Sequence, residues 1–367
     1  ISLKKKTLKP QLISSPKNQN KMKKAEYLKL LDSIVEENDI KSSKEHDRVL
    51  LIDGLNLFFR NFAMMNFVNE NGVHIGGLGG FLRSLGSLIN QIQPTSVYLV
   101  FDGVGSANNR KNLLPEYKSG RHTSRITNWE VFEDLDDEHN SKIEQIVRLI
   151  HYLRCLPVRN VSIDKAEADD IIAYYADLLP KKYNSKVIII SSDKDFLQLV
   201  DENVTVFRPM EKTFYQKQTI EDNFGILPEN FILYKTLLGD PSDKIAGIKG
   251  LGEKGLLKKF PELAERPLTM DDIFNISEAK LKDHVVYARI IQDFERLETN
   301  YKLMNLSDPL ISDKDKEFLE AISEMPLSAL NPEGFLRLYN EDGIGKMIRN
   351  VDFWLKDIFK VLNSFSK

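Results

Sequence analysis

The sequence predicts an α/β protein with a central, mainly parallel sheet, followed by a smaller helical region. Residues 49–52, 97–101 and 187–190 are compact, β-rich apolar runs, each followed by Asp or Ser. Unbroken apolar runs of this kind belong to strands buried on both faces. Long helical patterns separate them, as at 79–92 and 143–153, which is the alternation that builds a parallel sheet. Beyond residue 229 the β-type runs fade and glycine-punctuated helical patterns replace them.

In chain order, residues 1–24 hold eight lysines and no acidic residue. They have neither the apolar centre of a signal peptide nor the arginines of a transit peptide, and read as a disordered arm whose charge serves nucleic-acid contact or plain solvation. Residues 25–37 carry Tyr27, Leu28, Leu30, Leu31 and Ile34, an apolar stripe at helical spacing. The α/β domain then runs from 48 to 218. Between its second strand and the next helix lies a polar stretch, 103–142, far longer than an ordinary connection and therefore read as a partly helical lid over a site. Its first half is basic, with Arg110, Lys111, Lys118, Arg121 and Arg125; its second half is acidic, from Glu130 to Glu138. A helical region at 219–300 and a helical C-terminal region at 301–367 complete the chain. No repeat period is present.

Composition excludes several classes. With 42% hydrophobic and 29% charged residues the chain is an ordinary globular sequence, and its apolar runs, such as 187–190, are far too short to span a bilayer. One cysteine, Cys155, excludes an internal disulfide and a zinc-type thiolate set, implies a reducing, cytoplasmic setting, and reads as a core residue. The net charge of −3 conceals both signs, since the basic arm is offset by acidic residues gathered at predicted strand ends.

Those strand-end acids carry the chemistry. In an open parallel sheet the ligand crevice lies beyond the carboxyl ends of the strands. Asp53 follows the first run, Asp102 the second, and Asp193 with Asp195 the third; Glu167, Asp169 and Asp170 open a helix beside them. Turn and helix-start chemistry would explain any one of these residues, but it accepts Asn, Ser or Gly equally well. So many like charges in one crevice repel unless cations neutralise them. Oxygen-only ligands suit Mg²⁺ or Mn²⁺ rather than zinc. Two such ions support in-line phosphoryl displacement, so hydrolysis of a phosphodiester is the expected reaction. The grip on a phosphate backbone falls to a glycine-rich hairpin at 247–254, with Gly247, Gly250, Gly252 and Lys254, which Asp240 and Asp243 precede.

Six motifs in this order, LLIDGLNLFFR, VFDG, RKNLLPEYKSGR, KAEADD, SSDKDFLQL and GDPSDKIAGIKGLGEKG, resemble the structure-specific 5′ nucleases: flap endonucleases, the 5′ to 3′ exonuclease domains of bacterial DNA polymerases, and phage enzymes of ribonuclease H type. The likeness runs from about residue 50 to 259. It implies a PIN-like α/β domain, a helix-three-turn-helix element and an arch at 103–142 that a 5′ single strand enters. It further implies a first Mg²⁺ held by Asp53, Asp102, Glu167 and Asp169 with Asp170 close by, and a second served by Asp193, Asp195 and Asp243 with Asp240 in an outer role. Lys118 and Arg121 would steer the scissile phosphate. Arg60, Arg110 and Lys111 would contact nucleic acid, Tyr117 would stack on a base, and the hairpin would bind DNA with a K⁺ ion. The expected partners are DNA with a 5′ flap, 5′ end or RNA primer, together with a sliding clamp or single-strand binding protein; the chain itself is expected to be monomeric. Lys244, Ala246 and Leu256 depart from the family pattern, which has Asn, Pro and a small polar residue there.

Two other readings remain open at this point. A nuclease-like scaffold that binds branched DNA without cutting would have lost a ligand or the arch lysine, and a PIN-type ribonuclease carries fewer carboxylates and no glycine hairpin. An aspartyl-phosphate phosphatase needs Asp-x-Asp after its first strand, which Asp53-Gly54-Leu55 does not supply.

Overall fold

The computed structural model describes residues 44–120 and 125–366; the lysine arm, the amphipathic pattern at 25–37 and Arg121 lie outside the described residues. Six strands, β1 (Arg48–Asp53), β2 (Ser96–Val100), β3 (Arg159–Val161), β4 (Lys186–Ile190), β5 (Val204–Arg208) and β6 (Thr213–Tyr215), form one sheet in the order β3-β2-β1-β4-β5-β6. All neighbours pair in parallel except β5 and β6. Leu51 lies between Tyr98 and Ile189 in the register, so β1 is the central strand of the site-bearing half. Because side chains alternate along a strand, Val49, Leu51, Val187 and Ile189 feed one core, and Leu50, Ile52, Ile188 and Ile190 feed the other. This is why these runs are apolar without alternation; each fully buried Leu or Ile contributes about 1.5–3 kcal/mol.

Helices cover both faces. On one face α1 (Gly54–Met64) and α2 (Gly76–Ile92) pack with Phe58, Phe62, Phe81 and Leu85 inward. The long connection holds α3 (Asn108–Leu113), and α4 (Leu135–Leu153) returns to the same face. α4 starts within the 103–142 stretch, at Leu135, with Asp134 accepting the Asp137 N–H as its cap. The last acid of the stretch's acidic half, Glu138, is also committed to the interior. Glu138 is fully buried and accepts N–H donors from Thr127 and Asn128 at 2.8 and 2.9 Å, and Lys142 at 2.7 Å.

The other face carries α5 (Ala168–Tyr183) and the helical region: α6 (Lys217–Phe224), α7 (Phe231–Leu238), a two-residue ribbon of Gly239–Asp240 with Ile245–Ala246, α8 (Glu253–Lys259), α9 (Met270–Ala279), α10 (Val285–Gln292) and α11 (Phe294–Met304). A boundary at 300 cuts α11, so the expected division between the last two regions does not follow the structure. The C-terminal part is not separate from the core either. Leu319 of α12 (Asp313–Glu324) joins the α5 face, whereas Phe335 and Leu338 of α13 (Pro332–Asp342) join the α2 and α4 face. Arg148 and the Tyr152 hydroxyl of α4 hold Asp342 at 2.7 and 2.8 Å. Cys155 is a buried free thiol in that core. Among the described residues, no helix is long and apolar enough to cross a membrane.

Candidate active site

The carboxyl ends of β1, β2 and β4 open into a crevice of about 220 Å³ walled by Asp53, Asp102, Asp169, Asp193, Asp195 and Asp243, with Lys118 and Phe59 among the other lining residues. Asp53 ends β1 and caps α1: Oδ1 accepts the Asn56 N–H at 3.0 Å, and Oδ2 accepts the Ser191 hydroxyl at 3.2 Å. Asp102 Oδ1 accepts the Ala168 N–H at 2.7 Å, which ties β2 to the start of α5. Asp193 Oδ1 accepts the Asp195 N–H at 2.9 Å, turning the chain after β4 so that both side chains face the crevice.

Burial is the largest influence on these acids. It pushes Asp53 up to about 7, against the Asn56 N–H, and repulsion from Asp102 and Asp193 adds to it. Burial likewise raises Asp102, and raises Asp169 well above the usual range with help from Asp193 and Asp53. Asp195 is pushed up to about 6 by burial and by Asp193, even though Lys235 Nζ lies 2.7 Å from its Oδ1. Lys235 also reaches Asp240 Oδ2 at 2.8 Å. Burial opposes ionisation of Asp240 as well, but Lys235 and Ser242 outweigh it and hold this carboxyl down to about 2. Asp240 is not among the residues that line the crevice.

Two expected ligands face elsewhere. Asp170 is buried and makes a two-pronged pair with Arg110, whose Nη1 and Nη2 lie 2.6 and 2.9 Å from its oxygens; it also accepts the Leu310 N–H at 3.0 Å. Glu167 accepts Arg110 Nη1 at 2.9 Å, Lys118 Nζ at 2.9 Å and the Tyr117 hydroxyl at 3.2 Å. Neither belongs to the crevice wall. Among the described residues, no three His, Cys, Asp or Glu side chains are grouped so as to hold a metal ion as they are placed. The donor chemistry nevertheless fits a hard divalent cation. The wall offers oxygens only, and their mutual repulsion and burial are what a double positive charge would relieve.

The arch base departs from expectation in two residues. Arg110 is 3% exposed and also donates from Nε to the Leu303 carbonyl at 2.8 Å, so although it lines the crevice its donors are committed to bracing the interior. Tyr117 is 4% exposed, with its ring among Ile232, Ile245, Leu303 and Met304, and cannot stack on a base there. Lys118 is in the crevice as expected; its backbone has φ +54° and its N–H donates to the Asp243 carbonyl at 3.2 Å. Lys111 is exposed on α3. Arg60 lies outside the crevice, in a separate groove with Arg83, Lys212 and Lys346. The sequence reading missed Lys235; its only signal was a position on the helix just before Gly239-Asp240.

The hairpin hangs beside Asp243. Gly239 has φ +74°, and a Cβ on it would fall 2.2 Å from the Gly247 nitrogen, while a Cβ on Gly247 would fall 2.0 Å from the Leu238 carbonyl oxygen. Only glycines allow this approach. Gly250 and Gly252 are exposed beyond it, as is Lys254. Leu256 is fully buried, which accounts for an apolar residue where the family has a small polar one.

A family described as "5'-3' exonuclease, N-terminal resolvase-like domain" matches residues 48–225. The chain is 31% identical over 227 residues to the 5′-3′ exonuclease of Bacillus subtilis, covering 59% of this chain and 71% of that protein. It is 30% identical over 287 residues to DNA polymerase I of Lactococcus lactis subsp. cremoris, covering 74% of this chain and 31% of that protein. The chain thus spans about a third of the length of that polymerase. Its fold is similar to that of the bacteriophage T5 flap endonuclease solved with DNA and metal ions, with a TM-score of 0.61 at 21% identity, covering 76% of this chain and 100% of that one.

Proposed function

Since the chain belongs to the structure-specific 5′ nuclease family of 5′-3′ exonucleases and flap endonucleases, we propose that it hydrolyses phosphodiesters at 5′ flaps, 5′ ends or RNA primers with divalent metal ions held in the carboxylate crevice. One observation supports this above the others: three strand ends, the start of α5 and the hairpin loop deliver six aspartates to one small crevice. On this reading Asp53, Asp102 and Asp169 would hold one ion, and Asp193, Asp195 and Asp243 another. Such ions, when bound, activate water and stabilise charge on the attacking and leaving oxygens.

The protein's own groups do the positioning. Lys118 places an ammonium at the crevice, where it would orient the scissile phosphate; Arg121 is assigned the same role by its place in the motif. Lys235 bridges Asp195 and Asp240 and offsets part of their charge. The exposed glycine backbone of the hairpin and Lys254 would grip the duplex, and Arg60 would meet phosphate in its own groove. The scaffold reading is disfavoured because neither the crevice aspartates nor Lys118 is missing.

The test is cleavage of a labelled 5′-flap duplex with Mg²⁺, with EDTA, and by the Asp193→Asn variant. Cutting near the junction that requires both the metal and Asp193 is expected. Tight flap binding without cutting would instead leave a binding scaffold.

A further inference from the structure

The expected K⁺ ion at the hairpin meets an obstacle. A monovalent cation in such a turn is held by backbone carbonyls, and here those carbonyls are already engaged. Arg296 Nη1 donates to the Ala246 carbonyl, Asn300 Nδ2 donates to the same oxygen at 2.9 Å, and Arg296 Nη2 lies 3.5 Å from the Gly247 carbonyl oxygen. Arg289 Nη1 donates to the Lys249 carbonyl at 2.7 Å and would lie only 3.1 Å from a Cβ on Gly250. Two guanidinium groups from α10 and α11 therefore occupy the Ala246, Gly247 and Lys249 carbonyls of the hairpin. The residues present do not fit K⁺.

We propose that Arg289 and Arg296 are a built-in cationic clamp for a DNA backbone phosphate at the hairpin, making its hold on DNA independent of any monovalent metal ion. This rests on the reading of the chain as a DNA-binding nuclease. A guanidinium carries five N–H donors in a rigid fork. Arg289 has one of them committed to Lys249, and Arg296 divides its donors between Ala246, Gly247 and the Asp293 carboxylate at 2.7 Å. The donors left over belong to side chains that are only half-buried. Anchoring on carbonyls fixes the fork beforehand, so little rotamer freedom is lost when a phosphate arrives. Lys249 and Lys254, both exposed on the same hairpin, together with Arg289 and Arg296 outnumber the acids Asp293 and Glu253 and leave the local charge positive.

The experiment is fluorescence anisotropy of a labelled 5′-flap duplex with the Asp193→Asn full chain in KCl, NaCl or tetramethylammonium chloride at equal ionic strength. Equal affinity in all three salts is expected. Adding Arg289→Ala should weaken binding about tenfold and flatten the dependence of log K on log salt by about one unit, as loss of one phosphate contact does. Arg296→Ala should do the same, and Arg289→Ala carries the test alone if loss of Arg296 disturbs the fold. Severalfold tighter binding in KCl, or an Arg289→Ala chain with unchanged affinity and salt slope, would overturn the clamp. Failure of the parent chain to bind the flap in any salt would overturn the nuclease reading and the clamp with it.

Discussion

Lys235 Nζ stands 2.7 Å from Asp195 Oδ1, placing a fixed positive charge against one wall of an acidic crevice. Because Asp195 is raised to about 6 even with this partner, removing the lysine leaves a buried carboxylate with less reason to ionise. Lys235→Met should lower cleavage at limiting Mg²⁺ by at least about tenfold, with partial recovery at high Mg²⁺, and Lys235→Arg should retain most of the activity. A rate that is unchanged across a Mg²⁺ titration would remove Lys235 from the working set.

Glu167 is held by three donors from the arch base, so its transfer to a metal must break some of them. Tyr117→Phe deletes the one neutral donor and keeps the ring that packs on Ile245 and Leu303. Calorimetric titration with Mn²⁺ should show tighter binding, by about threefold to tenfold for one hydrogen bond no longer lost. Unaltered or weaker affinity would mean that Glu167 stays with the arch.

Gly247→Ala puts a Cβ 2.0 Å from a backbone oxygen, which no rotamer change relieves. The ribbon must part, at about 1–3 kcal/mol. Flap affinity should fall, and the melting temperature with it, while Mn²⁺ affinity at Asp53 and Asp102 should change little. Intact flap binding would show that the hairpin is not a DNA contact.

His46 titrates low, at about 4, because burial disfavours its charged ring and Arg159 repels it. Its unfolded value is about 6.5, so between these two values the unfolded chain binds more protons than the folded one. Stability from this site is full above pH 6.5 and is lost as the pH falls toward 4, reaching a loss of about 2 kcal/mol at pH 5. Urea unfolding at pH 7 and pH 5 should show a smaller pH effect in His46→Asn than in the parent, since Asn tolerates the positive φ of 74° at this position.

The legible parts of the sequence were those encoded locally. β1, β2 and β4 were readable because both faces are buried and their central positions, 49–52, 97–100 and 187–190, are all apolar; β3 was not, because it is three residues long and begins with Arg159. That arginine is buried, with Nη1 on Ser96 Oγ at 3.1 Å and Nη2 on the Met325 carbonyl at 2.8 Å, contacts that no local pattern announces. The strand-end aspartates were readable for the reason that a parallel sheet opens at its carboxyl ends. Which acids turn away from the crevice was not readable. That choice belongs to Arg110, which lies 57 and 60 positions from Glu167 and Asp170, and only the folded arch base brings them together. The packing of the C-terminal helices was not readable either, because their apolar stripes say nothing about which face of the sheet they meet.

β1 passes into α1 with no connecting residue, Asp53 being both the last of the strand and the cap of the helix. Substitution at this junction changes one group, but insertion changes the geometry of everything after it. A single added residue would rotate α1 by about 100° about its axis. Phe58 and Phe62 would swing out of the core, and Phe59 would leave the crevice. The stretch from Leu50 to Phe62 is thus a ruler of fixed length, and a viable relative of this chain may vary its letters but not their number.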